Sequence, residues 1–281
     1  MTVDVGRIGV WLRSSAASGS ELVGTARELE RLGYGAIWLG GANGDLRSAQ
    51  AMLDATQRIT VATGIVSMWT IPAQELAINH ARVTAAHPGR FLLGIGASHE
   101  ALVGERYRRP YSALVSYLDE LDAAGVPKSE RVLAALGPKV LALAAERSRG
   151  AHPYLVTPDY TAGARQVLGS GPLMATEQKV ALAGDVEQSR KLGRPAVAPY
   201  LKMPNYLNNL RRDGFTDADF AHGGSDRLID ALVAGPDPAA VSARVQAHLD
   251  AGADHVCLQV VTADGSLPTA EWAKLAEALP T

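Results

Sequence analysis

The stretch FLLGIGASHE, residues 91–100, holds the densest run of chemistry in the chain: an apolar segment ending at Gly94-Ile95-Gly96, then Ala97, Ser98 and His99. Glycines at a strand end let backbone approach a flat or anionic ligand, and imidazole titrates near neutral pH, so His99 can give or take a proton beside such a ligand. A dinucleotide fingerprint is the rival reading. It needs a third glycine where His99 stands, and an acid about 20 residues on at a strand end. The nearest such acids, Asp119 and Glu120, fall inside a helical stretch instead. A tight turn carrying a solvent-facing histidine also accounts for these residues, so their role depends on the elements around them.

Other candidates lie near predicted strand ends. His152 and Tyr154 stand in GAHPYLVTP, where His152 can hydrogen-bond a cofactor or substrate. Asn43 follows the second strand and Trp69 the third, where an indole can pack on a planar ligand or cap a barrel. Trp38 lies within a strand and reads as core. His80, His87, His222, His248 and His255 fall on helices, turns or a strand start and read as structural. No HExxH or paired-carboxylate spacing supports a metal, and Cys257 is the only cysteine, so neither an intramolecular disulfide nor a cysteine cluster is expected.

The elements that would position these groups alternate. Apolar runs at Arg7–Leu12, Gly35–Leu39, Ile59–Ser67, Arg90–Ile95, Arg131–Leu136, Pro153–Val156, Pro172–Leu182 and Asp254–Val261 predict eight strands. Between them, amphipathic stretches at Glu21–Leu32, Asp45–Thr56, Ala73–Ala86, Tyr111–Ala124, Pro138–Arg147, Asp159–Leu168, Asp237–Asp250 and Leu267–Leu279 predict helices, the first preceded by a loop with Ser14, Ser15 and Ser18. Strands without polar alternation are buried on both faces, which means a parallel sheet under helices. Eight such units in 281 residues predict an α/β fold, one (β/α)8 TIM barrel domain spanning 1–281; a doubly wound open sheet is the alternative. Residues 184–235 show helical pieces but no clear strand and read as an insertion between strand seven and its helix. A net charge of −2 without a basic stripe argues against nucleic acid as a partner, and the N-terminus lacks a signal-peptide core. Apolar runs stay far below the roughly 18 residues that span a bilayer, so no membrane association and a cytoplasmic location are expected.

On GYGAIWL, ITVATGIVS, GRFLLGIGASHE, LAALGPKVLALAAERSRGAH and the closing DAGADHVCLQV, in that order and spacing, the chain resembles the luciferase-like monooxygenase superfamily. It is most similar to the actinobacterial branch that uses coenzyme F420, and a composition rich in Ala, Arg and Gly suits such a source. The resemblance implies an oxidoreductase that exchanges a hydride between F420 and a small organic molecule, with an FMN-dependent monooxygenase or a non-catalytic flavin binder as alternatives. It implies a homodimer as well. It also implies a non-prolyl cis peptide at Gly64-Ile65 beneath the ring, ring and ribityl contacts from Gly96, Ala97 and Ser98, and a phosphate held at Gly137-Pro138, with Lys139 adding charge. Several F420-using relatives carry an Asp-His pair after strand two and a Glu after strand four. Here Gly40-Gly41 and His99 stand at those places, which leaves His99 as the catalytic candidate. The insertion, with Lys202, Met203, Tyr206, Arg211 and Arg212, would form a lid or else a solvated helix.

Overall fold

The computed structural model describes residues 3–15 and 19–279; the expected loop residue Ser18 lies outside them. Eight parallel strands close into a ring: β1 (Ile8–Arg13), β2 (Ala36–Gly40), β3 (Thr60–Thr63, continued by Val66–Ser67), β4 (Phe91–Gly96), β5 (Arg131–Leu133), β6 (Gly150–Ala151), β7 (Leu173–Val180) and β8 (His255–Val260). Closure comes from β8, which pairs with β1 at Ile8↔Val256 and with β7 at His255↔Ala175. The predicted barrel is therefore the observed one.

Alternation of side chains along each strand sorts the apolar residues into two layers. One side fills the barrel with Trp11, Ala36, Trp38, Ala62, Leu92, Val132, Leu173, Ala175 and Cys257. The other packs against the surrounding helices through residues such as Val10, Ile37, Val61, Phe91 and Leu258. Two helices, Ala73–Ala86 and Pro138–Arg147, have the predicted bounds. Residues between β7 and the helix Pro238–Asp250 form a third apolar cluster that includes Leu201, Tyr206, Leu210, Phe215 and Leu232, joined to Leu155 and Ala181 at the barrel's C-terminal end.

Three strand expectations are corrected. Strand six lies at Gly150–Ala151, not Pro153–Val156, because Pro153 has no N–H for the ladder, Leu155 turns left-handed at φ 58°, and the Leu155 N–H donates to the Glu177 carboxylate at 2.9 Å. Strand five stops at Leu133 rather than Leu136, since the Ala135 and Leu136 carbonyls accept from the Tyr160 hydroxyl at 3.2 and 3.0 Å. The 184–235 segment does contain a strand, Val233–Ala234, which extends the sheet beside Lys179 and Val180. At two residues it is too short to leave a periodicity.

Among the described residues, no helix is long and apolar enough to cross a membrane, and no group of three or more His, Cys, Asp or Glu residues could hold a metal ion.

Candidate active site at the barrel mouth

β3 breaks between Thr63 and Val66, and there the Gly64-Ile65 peptide is cis. Ile65 turns onto β4: a Cβ at Gly96 would stand 3.1 Å from its Cδ1 and one at Gly94 3.3 Å from its Cγ2. A Cβ at Gly64 itself would stand 2.8 Å from Trp11 Nε1 and 3.2 Å from His152 Nε2, so β1, β3 and β6 meet at this point.

His152 is 2% exposed, stacks on Trp38 at 4.2 Å between ring centroids, and hydrogen-bonds the Ala175 carbonyl through Nδ1 at 2.7 Å. A carbonyl partner fixes the proton on Nδ1, so Nε2 presents a lone pair. Burial lowers the His152 pKa to about 4 against the raising effect of that hydrogen bond, and the neutral ring persists at pH 7. Trp38 donates to His255 Nε2 at 2.9 Å and is fully buried core, as its position in the strand predicts.

Beyond β4, Ser98 adopts φ 56° and His99 caps the short helix Glu100–Val103. Trp69 Nε1 holds this loop by donating to the Ala97 carbonyl at 2.6 Å. The His99 ring lies 5.4 Å from that of Tyr206, so helix Pro204–Arg212 of the insertion reaches the mouth. Burial lowers the His99 pKa, partly offset by a hydrogen bond with Asn205. Of the other insertion candidates, Arg211 is engaged with Asp217 at 2.7 Å, Arg212 bonds Asn209 at 3.3 Å, Met203 packs on the apolar cluster and Lys202 is exposed.

Gly137 and Pro138 open the helix after β5 at the same end of the barrel, with open space where a Gly137 Cβ would be; Lys139 is exposed. Asn43 sits at the surface beyond β2.

Sequence reasoning missed the largest polar feature of the mouth. On β7 the inward positions after Ala175 are Glu177 and Lys179, both with no exposed side-chain surface, paired at 3.2 Å. The Lys179 ammonium also donates to Tyr154 Oη at 2.6 Å and Gln259 Oε1 at 2.8 Å, which fills its three donor positions. Tyr154 Oη donates to Gln259 Oε1 at 2.7 Å and lies 2.9 Å from Tyr200 Oη. Burial, with Glu177 and Tyr200 adding to it, holds the Tyr154 phenol well above its ordinary pKa, so it keeps its proton at neutral pH. The signal was available: Glu177 and Lys179 are charges two apart in a strand otherwise reading as buried on both faces. Trp11, Tyr200 and Tyr206 surround the Tyr154 ring at 5.2, 5.3 and 6.4 Å.

Four buried polar atoms at this end of the barrel have no partner among the described residues: Trp11 Nε1, Ser67 Oγ, His99 Nδ1 and His152 Nε2. Single unpartnered atoms occur elsewhere too, at Gln50, His80, Arg149, Thr176, Asn209 and Trp272, but these four share one end of the barrel, where a ligand's polar edge can complete the hydrogen bonding. One fixed donor, Trp11, and one fixed acceptor, His152, beside a glycine suit a planar heterocycle that carries adjacent C=O and N–H groups. These residues fit a flavin-type ring. The Asp that the family resemblance implies after β2 has no room here: a Cβ at Gly40 would stand 2.0 Å from the Trp11 ring carbons Cζ2 and Cη2, so Trp11 fills the space an Asp there would need.

Known proteins agree with this architecture. No protein of curated function matches the chain by sequence. Among solved structures, the coenzyme F420-dependent tetrahydromethanopterin reductase from Methanopyrus kandleri superposes with a TM-score of 0.77 at 16% identity over 98% of both chains. An F420-dependent secondary alcohol dehydrogenase, solved with an F420-acetone adduct, gives 0.74 at 14% identity, again over 98% of both chains. The FMN-bound oxygenating constituent of 3,6-diketocamphane monooxygenase, encoded on the CAM plasmid of Pseudomonas putida, gives 0.69 at 12% identity over 96% of each. At these identities the likeness is one of fold. The sequence profile described as luciferase-like monooxygenase matches residues 1–168, the half of the chain that carries β1 to β6 and the cis peptide, and the chain belongs to that family.

Proposed function

We propose that this protein is an oxidoreductase that uses coenzyme F420 to exchange a hydride with a small organic substrate at the barrel mouth. The observation that carries this reading is the set of unpartnered polar atoms beside the cis Gly64-Ile65 peptide. The bound ring supplies a carbon that gives and accepts hydride; the protein supplies position, electrostatics and exclusion of water. Trp11 donates to a ring carbonyl while His152 Nε2 accepts from a ring N–H. Ser98 and Ala97 border the ring edge, and the N–H groups that flank Pro138 at the helix opening, those of Gly137 and Lys139, favoured by the helix dipole, receive a phosphate. Tyr200 and Tyr206 of the insertion close over the mouth, and His99 holds a proton at Nδ1 or Nε2 near the reacting atoms.

Titrating the purified protein with F420 and separately with FMN, read by ligand fluorescence, tests the reading. Saturable binding of F420 that exceeds binding of FMN by about tenfold or more is expected. Preference for FMN would move the protein to the flavin-dependent branch, and binding of neither would end the proposal.

A further inference from the structure

We propose that Tyr154 is a proton-handling group of this mouth in addition to His99, the one that exchanges a proton with the substrate, and that the substrate offers it a carbonyl or alcohol oxygen at the place held in this structure by the Tyr200 hydroxyl. The inference rests on the hydride-transfer reading and names its substrate class.

A lysine and a glutamate sealed inside a barrel are an expensive way to build a core. Each buried charge loses several kcal/mol of hydration, and an apolar pair of similar volume is often no less stable. Their arrangement instead serves the Tyr154 oxygen. The Lys179 ammonium lies 2.6 Å from it and 4.1 Å from the Tyr154 ring centroid, so the cation sits where a phenolate charge would develop. Gln259, at 2.7 Å, orients the O–H, and Glu177 balances the lysine while its second oxygen fixes the Leu155 backbone that carries Tyr154. The groups facing the phenol are thus Lys179, Glu177, Tyr200 and Tyr206.

Tyr200 completes the picture. It belongs to the short 3-10 turn Tyr200–Lys202 of the insertion, is partly exposed, and places its phenolic O–H 2.9 Å from Tyr154 Oη. With the Tyr154 proton on Gln259, a substrate hydroxyl makes the hydrogen bond that Tyr200 makes, and a carbonyl oxygen takes that proton once the Tyr154 O–H turns from Gln259 toward it, so Tyr200 acts as an internal stand-in that must yield on binding. In the reducing direction the substrate carbonyl carbon gains a hydride from the reduced deazaflavin, and the C=O π pair moves onto oxygen. That oxygen takes the Tyr154 proton, which leaves an alcohol, the oxidised ring and a phenolate beside Lys179. The phenolate regains its proton from solvent along the Tyr200 side. Alcohol oxidation runs the same transfers backwards. Lys179 is a positioning residue here.

The test uses full-length protein with cyclohexanone and acetophenone as probes. Binding is followed by tryptophan fluorescence, since Trp11 lies 5.2 Å from Tyr154, and turnover with reduced F420 by deazaflavin absorbance. Tyr200→Phe is expected to bind the ketones about tenfold more tightly than wild type, as one competing hydrogen bond is removed. Tyr154→Phe is expected to keep F420 affinity, lose that ketone gain when combined with Tyr200→Phe, and lower kcat by about 10²- to 10⁴-fold. Lys179→Gln should move the alkaline limb of the kcat profile, with Lys179→Arg restoring it; loss of packing alone would leave the limb in place. Ketone binding that ignores both tyrosine variants, or full turnover in Tyr154→Phe, overturns the assignment while leaving the hydride reading intact. Tyrosine-dependent ketone binding in a protein that takes up neither F420 nor FMN sinks the hydride reading instead.

Discussion

Along the arc of the mouth from β1 to β6, Trp11, Ser67, His99 and His152 each leave a buried polar atom without a partner among the described residues. Across from them, on β7 and β8, Glu177, Lys179 and Gln259 are bonded to one another, to Tyr154 and to the Leu155 backbone. Burial is similar on both sides; satisfaction is not. An unsatisfied arc is tolerated where something from outside finishes the bonding, and a saturated arc is what holding a charge in a low-dielectric interior demands. On the proposed reading, the difference separates the surface that receives a ligand from the machinery that acts on it.

The saturated arc should be the more fragile to a single deletion. Lys179→Met strands the Glu177 carboxylate in the barrel, and a loss of about 3–5 kcal/mol in denaturant unfolding is expected, largely recovered by adding Glu177→Gln. A cost below about 1 kcal/mol would mean that the pair is not sealed as described.

The next effect comes from pH. His152 and His255 are each lowered to about 4, in both cases chiefly by burial, so between about pH 6.5 and 4 the unfolded chain binds protons that the folded chain refuses. Stability is therefore fully present above pH 6.5 and falls as pH drops toward 4, by about 1.4 kcal/mol per pH unit for each such ring. His152→Gln should flatten the slope of unfolding free energy against pH in that window by about that amount. An unchanged slope would remove His152 from the set of neutral buried rings.

The smallest effect sharpens the contrast most. Trp11→Phe removes an N–H that has no partner among the described residues, together with the ring carbons that pack over Gly40, so a stability loss of about 1–2 kcal/mol is expected while F420 affinity falls about tenfold. A stability loss with F420 affinity unchanged would show that Trp11 is packing alone.

The barrel was legible because its strands lie under helices on one side and against a filled interior on the other, so their apolar runs lack alternation and stand out between helical periods. Legibility failed where backbone hydrogen bonding, rather than side-chain pattern, set the element: the Tyr160 hydroxyl ends β5, and Pro153 with the left-handed Leu155 keeps an apolar HPYLV out of β6. For the site, the cis Gly64-Ile65 peptide stands where the family resemblance put it, and His99 and His152 lie at the mouth. The spacing of Glu177 and Lys179 carries a signal, whereas Gln259 and Tyr200 join them and Tyr154 only in three dimensions. Gln259 is 80 residues from Lys179 and Tyr200 is 46 from Tyr154.

Trp11 lying over Gly40 ties two positions together in any redesign of this mouth. An aspartate cannot enter at 40 while the indole is in place, and shrinking residue 11 alone opens a hole and discards an N–H. The two positions are therefore coupled, and any side chain larger than hydrogen at 40 has to come with a change at 11.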